Sequence, residues 1–239
     1  FFTSFCVAIY TEANGLYRGM DGQSHNATQE RAQAGFTTGS PTATSAFFSD
    51  MSLWDTFRTQ GPWQLLTDAD MYVGVLRSMV DMTVQQGAFP KWTTASVDNG
   101  CMIGVHGAAT ALEACLAGLD GEFDVATIQQ ALQRQATQED VKNGRKDVSF
   151  YLASGYVSSD AEGKSTSLTL TYAFDDYILA GISEVVGATE DEKEARRRAS
   201  NYRNVFSVEH ELMCPRPADP TAVLLCDSIH AQGWWDHYT

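Results

Sequence analysis

The chain has 239 residues, of which 44% are hydrophobic, 11% aromatic and 19% charged, a composition typical of globular proteins. Its 30 acidic residues outnumber its 16 lysines and arginines and give a formal net charge of −14. This charge repels phosphate backbones and anionic lipid, so we expect no nucleic-acid partner and no binding to a membrane surface. No apolar run approaches the ~20 residues that a membrane-spanning helix needs, and we expect no membrane span.

The first part of the chain changes character after a short apolar stretch. Residues 1–10 predict a helix, whereas residues 11–50 are rich in Gly, Ser, Thr and Asn and predict a long loop. Loops longer than ~15 residues in a compact domain usually carry function or are disordered. Residues 15–22 and 89–102 mix aromatic, glycine and charged residues. We therefore expect these two segments at the rim of a site.

Apolar residues spaced three and four apart predict helices in the rest of the chain. These helices span residues 68–86, 103–119, 125–135 and 168–186, and a last one starts at Thr189. Thr189 and Glu192 form a capping-box pattern, in which each side chain accepts the backbone N–H of the other residue. The buried side of this last helix is expected to carry Ala195, Ala199, Tyr202 and Phe206.

The predicted helix over residues 168–186 is apolar on nearly all sides. One face carries Phe174, Tyr177, Ile178, Ile182 and Val185. The opposite side carries Tyr172, Asp176 and Leu179. Such a helix is buried on two sides, whereas the helix that starts at Thr189 has one apolar face. Alternation of these two kinds of helix is typical of an α/α toroid, so we expect an all-α fold: an incomplete (α/α)6 toroid, or barrel, with long functional loops.

The five cysteines form no recognisable metal or disulfide pattern. Their number is odd and none belongs to a CxxC motif or a Cys/His cluster, which argues against a zinc site and a disulfide framework. Cys214 and Cys226 flank a Pro-rich loop, where they form either a disulfide or two free thiols. Asn26-Ala27-Thr28 matches the acceptor pattern for N-glycosylation. We expect a secreted protein or one of the secretory pathway.

Several loop segments hold the residue types that carbohydrate sites use. Such sites need charged groups for sugar hydroxyls and aromatic faces for the apolar side of the ring. Arg18 and Asp21 lie beside glycines, which allow backbone to approach a ligand. Asp55 and Arg58 also fit a surface pair one helical turn apart, and His106 also fits a hydrogen-bonded core residue. The substrate-binding candidates in these segments are Arg18, Asp21, Trp54, Asp55, Arg58, Trp92 and His106.

Asp175 and Asp176 form the only adjacent carboxylate pair on a predicted two-sided helix. Neighbours on a helix point about 100° apart, so both cannot face one site. We expect Asp176 to face a cavity, as a further substrate-binding candidate, and Asp175 to be structural. The pair is also similar to the magnesium motif of terpene synthases, but no third acidic residue follows at the required spacing.

Taken in order, five segments resemble the catalytic α/α-barrel domain of the glycoside hydrolase family 92 α-mannosidases. They are Tyr17-Arg18-Gly19-Met20-Asp21-Gly22, Ser52-Leu53-Trp54-Asp55-Thr56-Phe57-Arg58, Pro90-Lys91-Trp92, Cys101-Met102-Ile103-Gly104-Val105-His106 and Tyr172-Ala173-Phe174-Asp175-Asp176-Tyr177. Residues 200–206 also resemble a helix end of that family. The resemblance spans nearly the whole chain, and five ordered motifs are far more specific than any one of them.

The resemblance implies an exo-acting, calcium-dependent and inverting α-mannosidase that hydrolyses terminal α-mannose from glycans. In the family, calcium binds the O2 and O3 hydroxyls of the sugar and helps to distort its ring. Inversion needs a general acid and a general base on opposite sides of the bond, roughly 6.5–9.5 Å apart. By the same resemblance, the loop candidates given above line or support the pocket for the terminal mannose.

The resemblance departs from the family pattern at the last residues, Tyr238 and Thr239. In the family, a Tyr-Thr of this kind precedes Glu-Gly-Asn-Ala-Trp, whose glutamate is the general acid. The base and the calcium ligands follow later, so we expect all of them outside this chain. We interpret residues 1–239 as the N-terminal part of the (α/α)6 catalytic domain, ending just before the general-acid motif. Its expected partners are the rest of the barrel and a β-sandwich domain, covalently attached or separate.

Three hypotheses follow. The chain is part of an active α-mannosidase, or a catalytically inactive scaffold or glycan-binding module in a larger assembly, or a helical enzyme of another lineage such as an isoprenoid cyclase. Arg18, Asp55 and Arg58 favour the first, since a pure scaffold has no need of polar pocket residues. We also expect no turnover from these residues alone, since the acid, the base and the calcium ligands are expected outside them. We expect them to fold poorly as well, because half a toroid leaves apolar helix faces exposed and such patches drive association.

Overall fold

Helices are the main elements of the computed structural model, which describes residues 8–12 and 14–227. The helices are α1 (Ala27–Gln33), α2 (Pro41–Ser45), α3 (Leu53–Thr56), α4 (Gln60–Thr67), α5 (Ala69–Gln86), α6 (Gly107–Leu116), α7 (Val125–Thr137), α8 (Val148–Ser154), α9 (Ser165–Val186) and α10 (Thr189–Arg198). Short antiparallel strand pairs join the loops: β1 (Ala8–Ile9) with β4 (Phe48–Ser49), β2 (Leu16–Arg18) with β3 (Ser24–Asn26), β5 (Thr93–Thr94) with β6 (Val97–Asp98), and β7 (Phe206–Ser207) with β8 (Leu212–Met213). The expected helical class is confirmed at this level, and the toroid stays a prediction.

Helices α5 and α7 lie where the sequence predicts them. Asp68 accepts the backbone N–H of Met71 at 3.0 Å and so caps the start of α5, whose C-terminal end is capped by Gly87 with a φ of 75°. Asp124 caps α7 in the same way through the N–H of Thr127, at 2.9 Å. Capping carboxylates satisfy N–H groups that have no partner inside a helix. Both helices then pack their apolar stripes into the main hydrophobic core.

Helix α6 begins four residues later than expected. Gly104 has a φ of 74°, and a side chain there would overlap the side chain of Thr171 on α9. This left-handed residue ends the loop and lets its backbone approach α9, so the regular helix starts only at Gly107. The loop residues 100–106 therefore remain outside the helix, where their backbone can contact other groups.

Helix α9 is the longest described helix and is buried on two sides, as predicted. It packs against α6, α7 and α10. Tyr172, Asp176 and Leu179 are buried on one side, and Ile178 and Ile182 are buried as well. The face assigned from the sequence is wrong in part, because Tyr177 is 60% exposed and Val185 is 40% exposed.

The start and the end of α10 differ from the capping-box prediction. Ala188 is the N-cap, and the Glu192 side chain pairs with Arg196 at 2.8 Å. The helix then ends at Arg198, and a 3₁₀ turn over residues 201–205 follows. That early end turns Tyr202 and Phe206, which are 38% and 40% exposed, away from the core. Arg198, the last residue of α10, is buried instead, because it pairs with Asp176 of α9.

The predicted long loop over residues 11–50 contains short elements, namely β2, β3, α1, α2 and β4. Asn26 caps α1 by accepting the N–H of Gln29 at 3.0 Å, and Arg31 of α1 pairs with Asp81 of α5 at 2.7 Å. That ion pair joins residues distant in sequence, which an apolar-periodicity pattern cannot show. The helix predicted over residues 1–10 is wrong at residues 8–9, which form β1, and its other part, residues 1–7, lies outside the described residues.

Cys214 and Cys226 form a disulfide with their Cα atoms 5.0 Å apart. Cys101 and Cys115 are free thiols. Over residues 8–12 and 14–227, no helix is long and apolar enough to cross a membrane.

Candidate functional site

Aromatic rings surround His106 at the start of α6. Phe57, Phe174 and Trp54 lie with their ring centres 4.8, 5.6 and 6.2 Å from the imidazole. The side chain is 7% exposed, and its Nδ1 atom makes no hydrogen bond with the described part of the chain. Burial and the positive charge of Arg58 lower the pKa of His106 to about 4, so the ring is neutral at pH 7.

Arg58 covers two of these rings. Its guanidinium carbon lies 5.1 Å from the centre of Trp54 and 4.7 Å from that of Phe57. A guanidinium over an aromatic face is attracted by the negative potential of the ring. The Trp54 ring therefore contacts both Arg58 and His106, although more than 40 residues separate Trp54 from His106.

Asp55 is exposed and makes no ion pair with Arg58 among the residues that the structure describes. Helix α3 ends at Thr56, so the two residues do not share a regular helix. The surface ion pair considered from their spacing is therefore not formed.

Asp98 organises the loop that carries Trp92. Its Oδ1 atom accepts the N–H groups of Trp92 and Gly100, at 3.0 and 3.2 Å. Its Oδ2 atom accepts the N–H of Lys91 at 3.0 Å and the side-chain amides of Asn143 and Gln86, at 2.7 and 3.2 Å. Asp98 is not among the site residues predicted from the sequence. The Asp98-Asn99-Gly100 turn sequence was the available signal, because Asx residues before glycine often bind nearby backbone N–H groups.

A cavity of about 160 Å³ opens between the loop over residues 100–105 and the first half of α9. Its wall is lined by Lys91, Gly100, Val105, Asn143, Arg145, Lys146, Tyr172 and Asp175, among others. None of the eight predicted substrate-binding residues lines it, but Lys91 and Val105 are the chain neighbours of Trp92 and His106. Backbone and charged groups of this kind can bind several hydroxyls of a polar ligand.

Asp175 is, with Glu162, one of the two carboxylates that line this cavity. Its two oxygens lie 3.2 and 3.3 Å from the backbone N of Val105, which donates to them. Burial raises the pKa of Asp175 to about 6, against the opposing positive charge of Arg145. Burial also lowers the pKa of Lys91, across the same cavity. At this cavity, desolvation therefore disfavours the charged forms of both Asp175 and Lys91.

Asp176 does not line the cavity that Asp175 lines, and the ranking of the two aspartates from the sequence is wrong. Its side chain is fully buried and accepts hydrogen bonds from Arg145 at 2.9 Å, Arg198 at 3.0 Å and Tyr151 at 3.0 Å. These donors occupy both carboxylate oxygens. The two arginines come from segments 31 and 22 residues away, so the local pattern on α9 could not reveal them.

Arg18 and Asp21 lie on the β2–β3 hairpin, apart from the His106 cluster. Arg18 is exposed, and its backbone carbonyl accepts the hydroxyl of Ser96 at 2.6 Å, which links this hairpin to the β5–β6 hairpin. The Asp21 carboxylate binds His25 at 3.0 Å, and the N–H of Gln23 together with that histidine lowers its pKa. His25 in turn binds Glu30 at 2.8 Å. The structure shows no contact of Arg18 or Asp21 with Trp54, Arg58 or His106.

A larger cavity, of about 320 Å³, lies between α1 and α5. No predicted site residue lines it. Its buried charges are already paired, since Arg31 binds Asp81 at 2.7 Å and Arg77 binds Glu122 at 3.1 Å. We therefore place the candidate site at the smaller cavity and the His106 cluster, where charges and aromatic faces are available together.

The residues present do not fit a calcium site. Over the described ranges, 8–12 and 14–227, no group of three or more His, Cys, Asp or Glu side chains could hold a metal ion. Calcium prefers six to eight oxygen ligands, which the candidate site does not offer.

Comparison with known proteins supports the resemblance. The glycosyl hydrolase family 92 catalytic domain matches residues 3–234. The family GH92 alpha-mannosidase BT3965 from Bacteroides thetaiotaomicron in complex with mannoimidazole is 25% identical, with a TM-score of 0.74 over 89% of this chain and 26% of that one. The family GH92 inverting mannosidase BT2199 from Bacteroides thetaiotaomicron VPI-5482 is 25% identical, with a TM-score of 0.73 over 90% of this chain and 27% of that one.

A third structure, the GH92 family glycosyl hydrolase ccman5, is 21% identical with a TM-score of 0.60 over 88% of this chain and 25% of that one, and shows the fold alone. No curated protein sequence matches the chain. The chain spans about a quarter of the length of the solved structures that it matches.

Proposed function

Since the chain belongs to glycosyl hydrolase family 92, we propose that it contributes the sugar-binding side of an α-mannosidase that removes terminal α-mannose from glycans. The observation that carries this proposal is the contact among Trp54, Arg58 and His106. Three separately predicted pocket residues meet at one place, beside a cavity lined by charged groups. The names of the structural relatives, an alpha-mannosidase and an inverting mannosidase, support mannose as the sugar.

The described residues can bind a sugar in a defined way. The exposed side of the Trp54 ring suits the apolar C–H face of a pyranose, while Arg58 is held against the ring and can donate to hydroxyls. His106 is neutral at pH 7 and adds no charge to the site. Asp175 and Lys91 offer an acceptor and a donor in the neighbouring cavity.

The finer features of the activity belong to the proposal as well. Exo action, inversion and dependence on calcium follow from the family resemblance, and the acid, the base and the calcium ligands are proposed to lie outside this chain. Calcium would supply charge to hold and distort the sugar. The proposed partners are the rest of the barrel and a β-sandwich domain, which agrees with the quarter of the relatives' length that the chain spans.

We propose a secreted or secretory location because Cys214 and Cys226 form a disulfide. Disulfides persist in oxidising compartments and are rare in the cytosol.

The proposed function can be tested by assaying the full-length protein. We expect it to hydrolyse α-mannobiose in calcium-containing buffer, to release β-mannose first by NMR, and to lose activity with EDTA. Arg58→Ala should lower kcat/KM by about 10- to 100-fold, the effect of losing hydrogen bonds to a charged group. The matched control is Arg196→Ala, which removes an exposed arginine from α10 and should leave kcat/KM unchanged.

Two outcomes would overturn the proposal. Mannoside binding by calorimetry without any hydrolysis would identify a glycan-binding module. Absence of both binding and hydrolysis would leave a scaffold. The isolated residues 1–239 are expected to show no turnover, and hydrolysis by them would contradict the assignment of the acid and the base to other parts of the protein.

A further inference from the structure

We propose that Asp98 is a positioning residue for the candidate sugar site, acting through the backbone and side chains that form the cavity wall. The activity measurement that tests this inference rests on the proposed function, whereas the NMR measurement rests on the structure alone. Asp98 is 8% exposed and does not line the cavity itself.

Most hydrogen bonds of Asp98 come from residues of the cavity wall. Three of its five donors belong to residues that line the cavity, namely Lys91, Gly100 and Asn143. A fourth donor is the N–H of Trp92, a predicted pocket residue. One carboxylate therefore fixes the loop before β5 to the turn after β6 and to the loop before α8.

A second layer of hydrogen bonds supports the same loop. Asn143 also donates to the carbonyl of Phe89 at 3.2 Å. Gln135 of α7 accepts the N–H of Phe89 at 2.9 Å and donates to its carbonyl at 3.2 Å. Because Phe89 is fully buried, this anchor holds the start of the loop, and Asp98 is left to set the direction of Lys91 and Trp92.

The arrangement requires a carboxylate. An ionised aspartate only accepts hydrogen bonds, whereas an asparagine replaces one acceptor oxygen by an NH₂ donor. At Asp98 that donor would face either two N–H groups, from Trp92 and Gly100, or the N–H of Lys91 and two side-chain amides. In both orientations N–H groups lose their acceptor and meet another donor, so the loop must move.

The test uses Asp98→Asn in the full-length protein labelled with 5-fluorotryptophan. The ¹⁹F resonance of Trp92 is assigned by its loss in Trp92→Phe. We expect Asp98→Asn to shift or broaden this resonance and to lower kcat/KM for α-mannobiose by about 10- to 100-fold, because a displacement of about 1 Å can cost up to about 100-fold. The control Asp81→Asn removes a partly buried carboxylate that pairs with Arg31 at the cavity between α1 and α5, and should lower stability while leaving the Trp92 resonance and kcat/KM unchanged.

Each outcome bears on the proposal. An unchanged Trp92 resonance in folded Asp98→Asn overturns it whether or not the protein is a mannosidase. An equal loss of kcat/KM in Asp81→Asn overturns it too, because general destabilisation then explains the effect. If Asp98→Asn does not fold, Asn143→Asp places a second carboxylate beside Oδ2 of Asp98 and must move the same resonance. A moved resonance in a protein without mannosidase activity supports the positioning role and refutes only the proposed function.

Discussion

Asp176 on α9 and Arg198 on α10 form an ion pair of 3.0 Å in which neither side chain is more than 1% exposed. Arg145 binds the other carboxylate oxygen at 2.9 Å, and its guanidinium lies 5.3 Å from the centre of the Tyr151 ring. One buried carboxylate therefore joins α9 to α10 and to the loop before α8. Its single negative charge is shared by two arginines, of which Arg198 also lies 3.5 Å from Glu194.

Asp176→Asn is expected to destabilise the domain by about 3–5 kcal/mol, because removing one member of a buried ion pair leaves its partners uncompensated. Denaturant unfolding of the full-length protein measures the effect. Glu192→Gln removes an exposed pair with Arg196 on α10 and should change the midpoint little. Equal midpoints for the two variants would contradict the structural role of Asp176.

Asp175 and Asp176 show how far the sequence predicts the structure of this protein. Periodicity located α5, α7 and α9, because each helix packs an apolar stripe that local spacing reveals. It also showed that two sides of α9 are buried. It could not tell which aspartate is buried with partners, because Arg145 and Arg198 come from other segments. The ranking of Asp175 and Asp176 was therefore reversed.

The candidate site was predicted in part. Trp54, Arg58 and His106 do meet, as a shared pocket requires. Arg18 and Asp21 lie on a separate hairpin, where the Asp21 carboxylate binds His25 and the backbone N–H of Gln23. Asp98 and Asp175 were missed as site residues, because the roles of both depend on backbone N–H groups that only the folded loop presents. Whether the eight predicted residues bind substrate stays a prediction.

His106 should make the stability of the domain depend on pH. Its pKa is lowered from 6.5 to about 4, so the folded state binds fewer protons than the unfolded state between these values. The contribution is complete above pH 6.5 and is lost as the pH falls towards 4, with a loss of about 2 kcal/mol by pH 5. His106→Phe keeps an aromatic ring among Phe57 and Phe174 but cannot titrate, so it should lose less stability between pH 7.5 and 5.

Chemical unfolding of both proteins at the two pH values checks this prediction. His210→Phe is the control, since His210 lies outside the aromatic cluster and pairs with the exposed Asp227. Parallel pH profiles for the wild type and His106→Phe would show that the buried imidazole titrates normally.

Asp175 should make the stability of the domain depend on pH in the opposite direction. Burial raises its pKa from 3.8 to about 6, so its contribution to stability is complete below pH 3.8 and is lost as the pH rises through 6. Asp175→Asn keeps an oxygen that can accept the N–H of Val105 but removes the charge. The melting temperature of the wild type relative to this variant should therefore fall between pH 4 and pH 7, as followed by calorimetry. A difference that stays constant over this range would place the carboxylate in a solvated setting.

The Cys214–Cys226 disulfide should stabilise the segment after α10. It closes a loop of 12 residues that packs on the loop after α8, where Tyr156 donates to the carbonyl of Pro217 and Ser159 donates to that of Arg216, both at 2.9 Å. A cross-link of this span restricts the unfolded chain and is worth about 3 kcal/mol. The double variant Cys214→Ser with Cys226→Ser should lose about that much, and reductant should bring the wild type to the same midpoint. Cys101→Ser, at an exposed free thiol, should change neither value. Labelling of Cys214 or Cys226 by a thiol reagent in the native, unreduced protein would contradict the disulfide and remove the support that it gives to a secreted location.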